Sequence, residues 1–497
     1  MAASRRALEL AHSENQRLHE DIVRQSAILD EILLSTAWKL TAPLRNYGHL
    51  KQKIRRISHA LPAIAARAGG WHVLLRITYQ AWRRGGLAEI LPLARNQIIS
   101  MEKPVPTPSA ITEPEPCPFS STEDSGNPVL LFVSHEASRT GAPVFLLNLI
   151  DVLIASSDIE CIILLGSGGE LESEFKKRGT SFVLNSRNDI PPAILAWLKK
   201  KNIRLVYSNT ITNGMLQKRL KVLGCPILCH VHELAYSIDH YFDQASIQHV
   251  IDSTSLFLAG SRAVADYLIH RRMRPASEVV LAYPFINVEQ AQRTAASAQT
   301  DSLVLPGNAF IIGACGTLGW RKGTNLFVQV ARLVLEQCQQ PIHFVWVGGP
   351  TSGNEFRQLQ YEIETLGLGS HITFTGSVKA HLPYLARFDI FLLPSREDPF
   401  PLVVMDAAAL SIPIICFSDA GGAPELVEDD AGIVVPYLDC TKMAGAVCQL
   451  QSNPDLRQRF GKRAQQKVME RHNISVGGQH IHNIITQQIA HSLGIPA

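Results

Sequence analysis

The sequence has no hydrophobic run approaching the roughly 20 apolar residues that span a bilayer. Its first residues are polar and charged, so a secretory leader is not expected. Cysteine is sparse and scattered, nine in 497 residues. An odd, dispersed set implies no disulfide framework and fits a reducing cytoplasm. Acidic residues are missing altogether from Ile32 to Ala88, where Lys39, Arg45, Lys51, Lys53, Arg55, Arg56, Arg67, Arg76, Arg83 and Arg84 accumulate. The net charge of +3 therefore belongs to one segment, and the rest of the chain is net acidic. With 46% hydrophobic and 18% charged residues, the composition is that of a folded protein with a sizeable core.

Residues 8–32 follow a heptad, with Leu8, Asn15, Ile22 and Leu29 at one seam position and Ala11, Leu18, Gln25 and Ile32 at the other. The pattern suits a short coiled coil and a homodimer, or a single solvated amphipathic helix. Residues 37–100 set the basic run among Trp38, Tyr47, Trp71, Tyr79 and Trp82. Basic helices with interfacial aromatics lie on anionic membrane surfaces. No nucleic-acid motif accompanies them, so no nucleic-acid partner is expected. Residues 102–128 hold prolines 104, 106, 108, 114, 116, 118 and 128, and read as an extended linker.

Beyond the linker, short apolar runs alternate with helical patterns. One series comprises Val129–Ser134, Glu160–Leu165, Val206–Ser208, Ile227–Val231 and Leu256–Ala259. A second comprises Ile311–Cys315, His343–Val347, Ile372–Phe374, Ile390–Leu393 and Ile412–Phe417. Such alternation predicts βαβ units and parallel sheets. The expected class is α/β, two facing Rossmann-like domains preceded by a helical N-terminal module. The boundaries are 1–101 for that module, 102–128 for the linker, 129–298 and 299–475 for the two domains, and 476–497 for a C-terminal helix.

Candidate chemistry gathers at predicted strand ends. Asp398 falls in the loop after Ile390–Leu393, and Asp406 one turn into the following helix. In open α/β sheets, ligands bind at that edge. A carboxylate there can accept hydrogen bonds from two hydroxyls, as sugars and riboses present them. Gly316-Thr-Leu-Gly-Trp-Arg-Lys-Gly323 leaves the first strand of the second series, so Arg321 and Lys322 can neutralise a diphosphate beside a helix N-terminus. His371-Ile-Thr-Phe-Thr-Gly-Ser-Val378 places Gly376 in a turn at the same edge, where backbone groups could receive a nucleobase. Cys225-x-x-x-Cys229-His-Val-His232 has the look of a zinc site. Its members lie in a buried strand without a second ligand pair, so no metal site is expected.

Arg-Lys-Gly, then Phe-x-Gly, then Pro-Ser-x-x-Asp-Pro-Phe-Pro with an acid eight positions on, then Gly-Gly-x-Pro-Glu, resembles the retaining nucleotide-sugar glycosyltransferases of family 4, which have the GT-B fold. The likeness covers about residues 129–490. It implies that Arg321 and Lys322 hold the donor diphosphate, Asp406 the ribose hydroxyls and Asp398 the transferred sugar. It further implies that His232 stands near that sugar, that Gly141 of Thr140-Gly-Ala-Pro143 approaches the phosphate, and that Gly376, Phe400 and Leu402 line the donor. The first domain would supply the acceptor side. The implied reaction is front-face attack by a hydroxyl of a polysaccharide or lipid-linked glycan. A donor oxygen serves as base, with no cofactor and no obligatory metal. Ser35-Thr-Ala-Trp-Lys-Leu-Thr-Ala-Pro-Leu-Arg45 is similar to segments beside glycosyltransferase domains in bacterial surface-polysaccharide proteins. Together these features imply a cytoplasmic enzyme, peripheral at the inner face of the cell membrane.

Three departures from the pattern stand out. Both acids are Asp where the family usually has Glu, Pro401 replaces a common Gly and so lacks a backbone donor, and Thr317 stands where many members have Arg. Glu397, adjacent to Asp398, is an alternative sugar contact, and Arg321 the substitute for the missing Arg. A non-catalytic nucleotide-sugar-binding scaffold at the membrane is the rival reading, and an epimerase of similar fold a third.

Overall fold

The computed structural model describes residues 127–184, 189–297, 305–306, 309–338 and 340–494. The heptad segment, the basic segment and nearly all of the proline-rich linker lie outside the described residues. Two parallel sheets organise the rest. The first contains β1 (Val129–Ser134), β2 (Glu160–Leu165), β3 (Thr180–Val183), β4 (Ile203–Asn209), β5 (Ile227–Val231), β6 (Leu256–Ala259) and β7 (Val279–Leu281), in the order β3-β2-β1-β4-β5-β6-β7. The second contains β8 (Phe310–Cys315), β9 (Ile342–Val347), β10 (Ile372–Phe374), β11 (Ile390–Leu393), β12 (Ile414–Phe417) and β13 (Gly432–Val435), in the order β10-β9-β8-β11-β12-β13. This is the GT-B arrangement of two Rossmann-like domains.

The central strands form because they are continuous apolar runs. Val129–Ser134 and Ile390–Leu393 are buried at every position, which a strand covered on both faces requires. Helices close each face. Thr324–Gln337 turns Leu326, Phe327, Val330, Ala331 and Val334 onto the second sheet. The opposite face of that sheet takes Leu402–Ala409, where a run of alanines lets helix and strand approach closely.

In each sheet the strand order reverses beside the first strand, between β1 and β4 and between β8 and β11. Such switch points open a crevice at the carboxyl ends of the strands. The chain also crosses between domains twice. Ile286 and Asn473 form a parallel bridge, with Ile286 N–H donating to the His472 carbonyl at 3.0 Å and Ile474 N–H to the Ile286 carbonyl at 2.8 Å. After that second crossing, helix Gln479–Ser492 returns to the first domain. It inserts Ile481, Ile484 and Ile485 among Leu130, Phe132, Phe145 and Phe285. Among the described residues, no helix is long and apolar enough to cross a membrane.

Candidate active site

The loops after β8 and β11 leave neighbouring strands of one edge and are stitched together. Arg396 N–H donates to the Arg321 carbonyl at 2.8 Å. Gly323, which precedes helix Thr324–Gln337, has φ +73, and a Cβ there would stand 1.9 Å from the Pro394 carbonyl oxygen. Only glycine lets the two loops come this close in that conformation. A similar constraint acts on the other side of Asp398. A Cβ on Gly421, at φ +131, would meet the Asp398 carbonyl oxygen at 1.9 Å.

Held this way, Asp398 is 5% exposed and meets both basic residues of the glycine-rich loop. Lys322 Nζ donates to Oδ2 at 2.5 Å, an Arg321 guanidinium nitrogen to Oδ1 at 3.4 Å, and Ser395 Oγ to Oδ2 at 3.2 Å. Burial pushes the Asp398 carboxyl up, but Lys322 and Arg321 beside it outweigh that and hold it below its ordinary value. The Lys322 ammonium is itself pushed below its ordinary value by burial, with Asp398 acting in the opposite direction. The cluster is a pair of cations with one carboxylate counterion, at the N-terminus of a helix of 14 residues. Such an arrangement favours an anionic group.

Asp406 lies one turn into helix Leu402–Ala409 and is 8% exposed. His381 Nε2–H donates to its Oδ2 at 2.7 Å, and among the described residues no donor is bonded to Oδ1. Both ends of the site act on the buried, neutral thiol of Cys315. Burial pushes its thiol up to about 12, Asp406 adds to the rise and Lys322 opposes it.

The first domain contributes a polar relay at the end of β4 and β5. Asn209 donates its amide N–H to the Ala142 carbonyl at 2.8 Å, which turns its oxygen toward His232 Nε2 at 2.9 Å. His232 is therefore protonated on Nε2. Burial holds its pKa well below 6.5, helped by neighbouring His230 and His135, so the ring is neutral. His230 lies 4.2 Å away, centre to centre, and donates from Nε2 to the Ala282 carbonyl while Nδ1 accepts from the Tyr207 hydroxyl. Cys229 Sγ donates to the Thr210 carbonyl. These commitments give the Cys-His segment a structural account, and among the described residues no metal-holding cluster occurs. Glu233 accepts from the N–H groups of Ile211 and His232, at 3.2 and 3.0 Å. Burial raises its carboxyl to about 7, and Arg321 of the other domain works against that rise.

The structure thus brings Arg321, Lys322 and Asp398 into direct contact. Gly141 and Leu402 face each other across the domains, the Leu402 side chain 3.9 Å from where a Cβ on Gly141 would sit. Gly376, just beyond β10, gives its carbonyl to Gly348 N–H at 3.1 Å. Phe400 is not part of the cluster by contact. Its ring is 7% exposed and packs on Tyr283 and His472 near the domain crossings. Glu397 bonds toward the first domain. Sequence reasoning missed Asn209, Tyr207 and His381. Asn209 had a signal, as a polar residue ending a buried strand at the same edge as His232. His381 had none, since it precedes a four-residue helix and meets Asp406 only through folding.

Residues 297–467 match the family model of group 1 glycosyl transferases. The chain carries a glycosyltransferase domain and is, by class, a transferase. Among curated proteins it is 23% identical over 282 residues to alpha-D-kanosaminyltransferase of Streptomyces kanamyceticus, covering 53% of this chain and 71% of that protein. It is 25% identical to the lipopolysaccharide core biosynthesis glycosyltransferase LpsE of Rhizobium meliloti, covering 33% of this chain and 46% of the relative. The D-inositol 3-phosphate glycosyltransferase of Corynebacterium urealyticum is 27% identical, over 42% of this chain and 51% of its own length. Apart from the first, the chain thus spans about half the length of these relatives. Among solved structures, Anabaena HepE in complex with UDP superposes with a TM-score of 0.60 at 18% identity, covering 72% of this chain and all of that one. That likeness establishes the fold.

Proposed function

We propose that this glycosyltransferase is a retaining, family 4-type enzyme that moves a sugar from a nucleoside diphosphate donor to a polysaccharide or lipid-linked glycan. The observation that carries the reading is the Arg321–Lys322–Asp398 cluster at the switch point of the second sheet, with Asp406 on the adjoining helix. A diphosphate displacing Asp398 from the two cations would meet two positive charges and the N–H groups of a helix start. Charge that develops on the departing diphosphate is stabilised there without reorganisation of the protein. Asp398, released from Lys322, would turn to the sugar, and the free Oδ1 of Asp406 would accept from ribose hydroxyls. His232 is neutral and tethered through Nε2, which suits a hydrogen-bonding contact to the sugar. Retention is supported by the ordered motif set. The UDP and UDP-glucose bound by HepE make a uridine donor the first to try.

The test is donor turnover by the purified chain against a panel of nucleotide sugars, with the anomeric configuration of the product read by NMR. Lys322→Ala is expected to lower kcat about 100- to 1000-fold. Asp406→Ala is expected to weaken donor binding about tenfold, the scale of a lost charge-assisted hydrogen bond. Tight donor binding without turnover in any acceptor mixture would instead identify a nucleotide-sugar-binding scaffold, and an isomerised donor sugar an epimerase. For residues 1–100, the basic and aromatic composition supports contact with an anionic membrane and the heptad a dimer. Deleting them should leave donor binding intact and abolish sedimentation with phosphatidylserine vesicles, and unchanged sedimentation would refute the membrane role.

A further inference from the structure

Glu397 carries a carboxylate that the proposed chemistry does not use. It stands in the loop after β11, beside Asp398, and is 8% exposed. A carboxylate so buried must find donors, and these come from the other domain. Tyr236 N–H donates to Oε2 at 2.7 Å, and Ser237 donates to Oε1 through its N–H at 3.0 Å and its hydroxyl at 2.6 Å. Both oxygens are engaged, so Glu397 is not disposed to accept from a sugar. The donors lie in the first turn of the short helix Ala235–His240, which follows His232 and Glu233 off the end of β5.

Two further contacts join the same pieces. The Tyr236 ring lies 4.6 Å from that of Trp320, the residue before Arg321, and the Arg396 guanidinium lies 5.1 Å from the Trp320 ring centre. On its own side, Glu397 is tied to the cation pair, since Arg321 donates to its carbonyl at 2.8 Å. One residue therefore reaches the segment after His232 through its side chain and Arg321 through its backbone.

We infer that Glu397 is a positioning residue, a latch between the two domains that sets the His232 loop over the Arg321–Lys322 pair when the cleft is closed. Hydrogen bonds to a carboxylate keep only a modest net advantage over the same groups in water, so the latch can release and re-form in each cycle. Assembly of the donor site and closure then become one event, with water excluded as the sugar is transferred. The inference rests on the transferase reading only for its activity readout.

The test uses the full chain with UDP as probe and compares Glu397→Ala, Glu397→Gln and Ser237→Ala. Hydrogen exchange in the peptide covering Tyr236 and Ser237 should lose its protection in Glu397→Ala, while exchange in the strands of both sheets is unchanged. UDP affinity should stay within about threefold and kcat for donor turnover should fall about 10- to 100-fold, the cost of a misplaced reacting geometry. Glu397→Gln should be intermediate, because its amide oxygen can serve Ser237 while its NH2 opposes Tyr236 N–H. Ser237→Ala, which leaves the donor domain untouched, should show a smaller loss in the same direction and covers the case of an unstable Glu397 variant. Retained protection in Glu397→Ala would overturn the inference, as would a raised donor KM with unchanged kcat, the signature of a direct donor ligand. A wild-type chain that turns over no donor would sink the proposed function, and the exchange measurement would still decide the latch.

Discussion

At the residue scale, the site is governed by which charges are already paired. Asp398 was placed by its motif at the transferred sugar, and in the folded chain its carboxylate is bonded to Lys322 and Arg321. The motif fixed its loop and its edge, because strand and helix patterns are local. Its partners were not legible, because they arrive from a loop 76 residues away in sequence. Buried titratable groups also set a pH response. Burial holds His230 at about 3 and His472 at about 4, from 6.5, so each is neutral when folded and takes up a proton on unfolding in acid. Their contribution to stability is present above pH 6.5 and is lost as pH falls toward those values. Glu233, raised from 4.5 to about 7, acts oppositely, since it favours the fold below 4.5 and loses that contribution as pH rises to 7. Between pH 4.5 and 6.5 these two histidines, joined by His232 and His343, which burial also lowers, act against Glu233 and Glu425, which burial raises, each at roughly 1.4 kcal/mol per pH unit at most. Stability should therefore fall on acidification through this window, and Glu233→Gln should steepen the fall. Thermal unfolding midpoints across the window measure both slopes, and a shallower slope in the variant would contradict the assignment.

At the scale of elements, the central strands were legible and three edge strands were not. Val129–Ser134, Glu160–Leu165, Ile227–Val231, Leu256–Ala259 and Ile390–Leu393 begin and end where the apolar runs do, as does the fourth edge strand, Ile372–Phe374. The sequence pattern passed over β3, β7 and β13, and each borders its sheet. β3 and β7 are only half-buried along their length, so they lack the continuous apolar run that marks a doubly covered strand. Helix Pro454–Arg471 holds another feature that composition conceals. Its Lys467 is fully buried, donating to the Leu426 and Val427 carbonyls at 3.2 Å each and pairing with Glu428 at 2.8 Å and with Asp430. The two carboxylates are nearly half exposed and would rehydrate if the ammonium were lost, whereas the carbonyls would stay buried. Lys467→Ala should therefore cost about 1–3 kcal/mol, the scale of stranded buried acceptors. Lys467→Met, which keeps the apolar stem, should cost less, and denaturant midpoints at constant slope would show the order. An equal loss for the two variants would mean that the apolar stem contributes nothing and that the ammonium alone holds this turn.

At the scale of the whole molecule, the sequence predicted two αβ domains and a terminal helix, but gave no sign of where that helix docks. Ile481, Ile484 and Ile485 are spaced for one helical face, a pattern that suits any apolar surface. Their partners prove to be β4 and helix Gly141–Ser156, far upstream in the sequence. Full burial of an isoleucine contributes about 1.5–3 kcal/mol, so three of them equal a large part of a domain's net stability. Removing residues 479–497 should leave the first domain unstable while the second sheet keeps its core. Limited proteolysis should then cut within residues 129–282 and spare 310–471. Equal resistance of the two regions in the truncated chain would contradict this dependence.

That docking reverses the order in which the molecule can be completed during synthesis. Domains ordinarily finish in the order in which they are made. Here the earlier sheet emerges first yet lacks three side chains of its own core until helix Gln479–Ser492 is added. The later sheet has all its strands and covering helices by residue 471. The half made second can therefore be finished first, and the half made first must wait, its apolar face open, for helix Gln479–Ser492 to return.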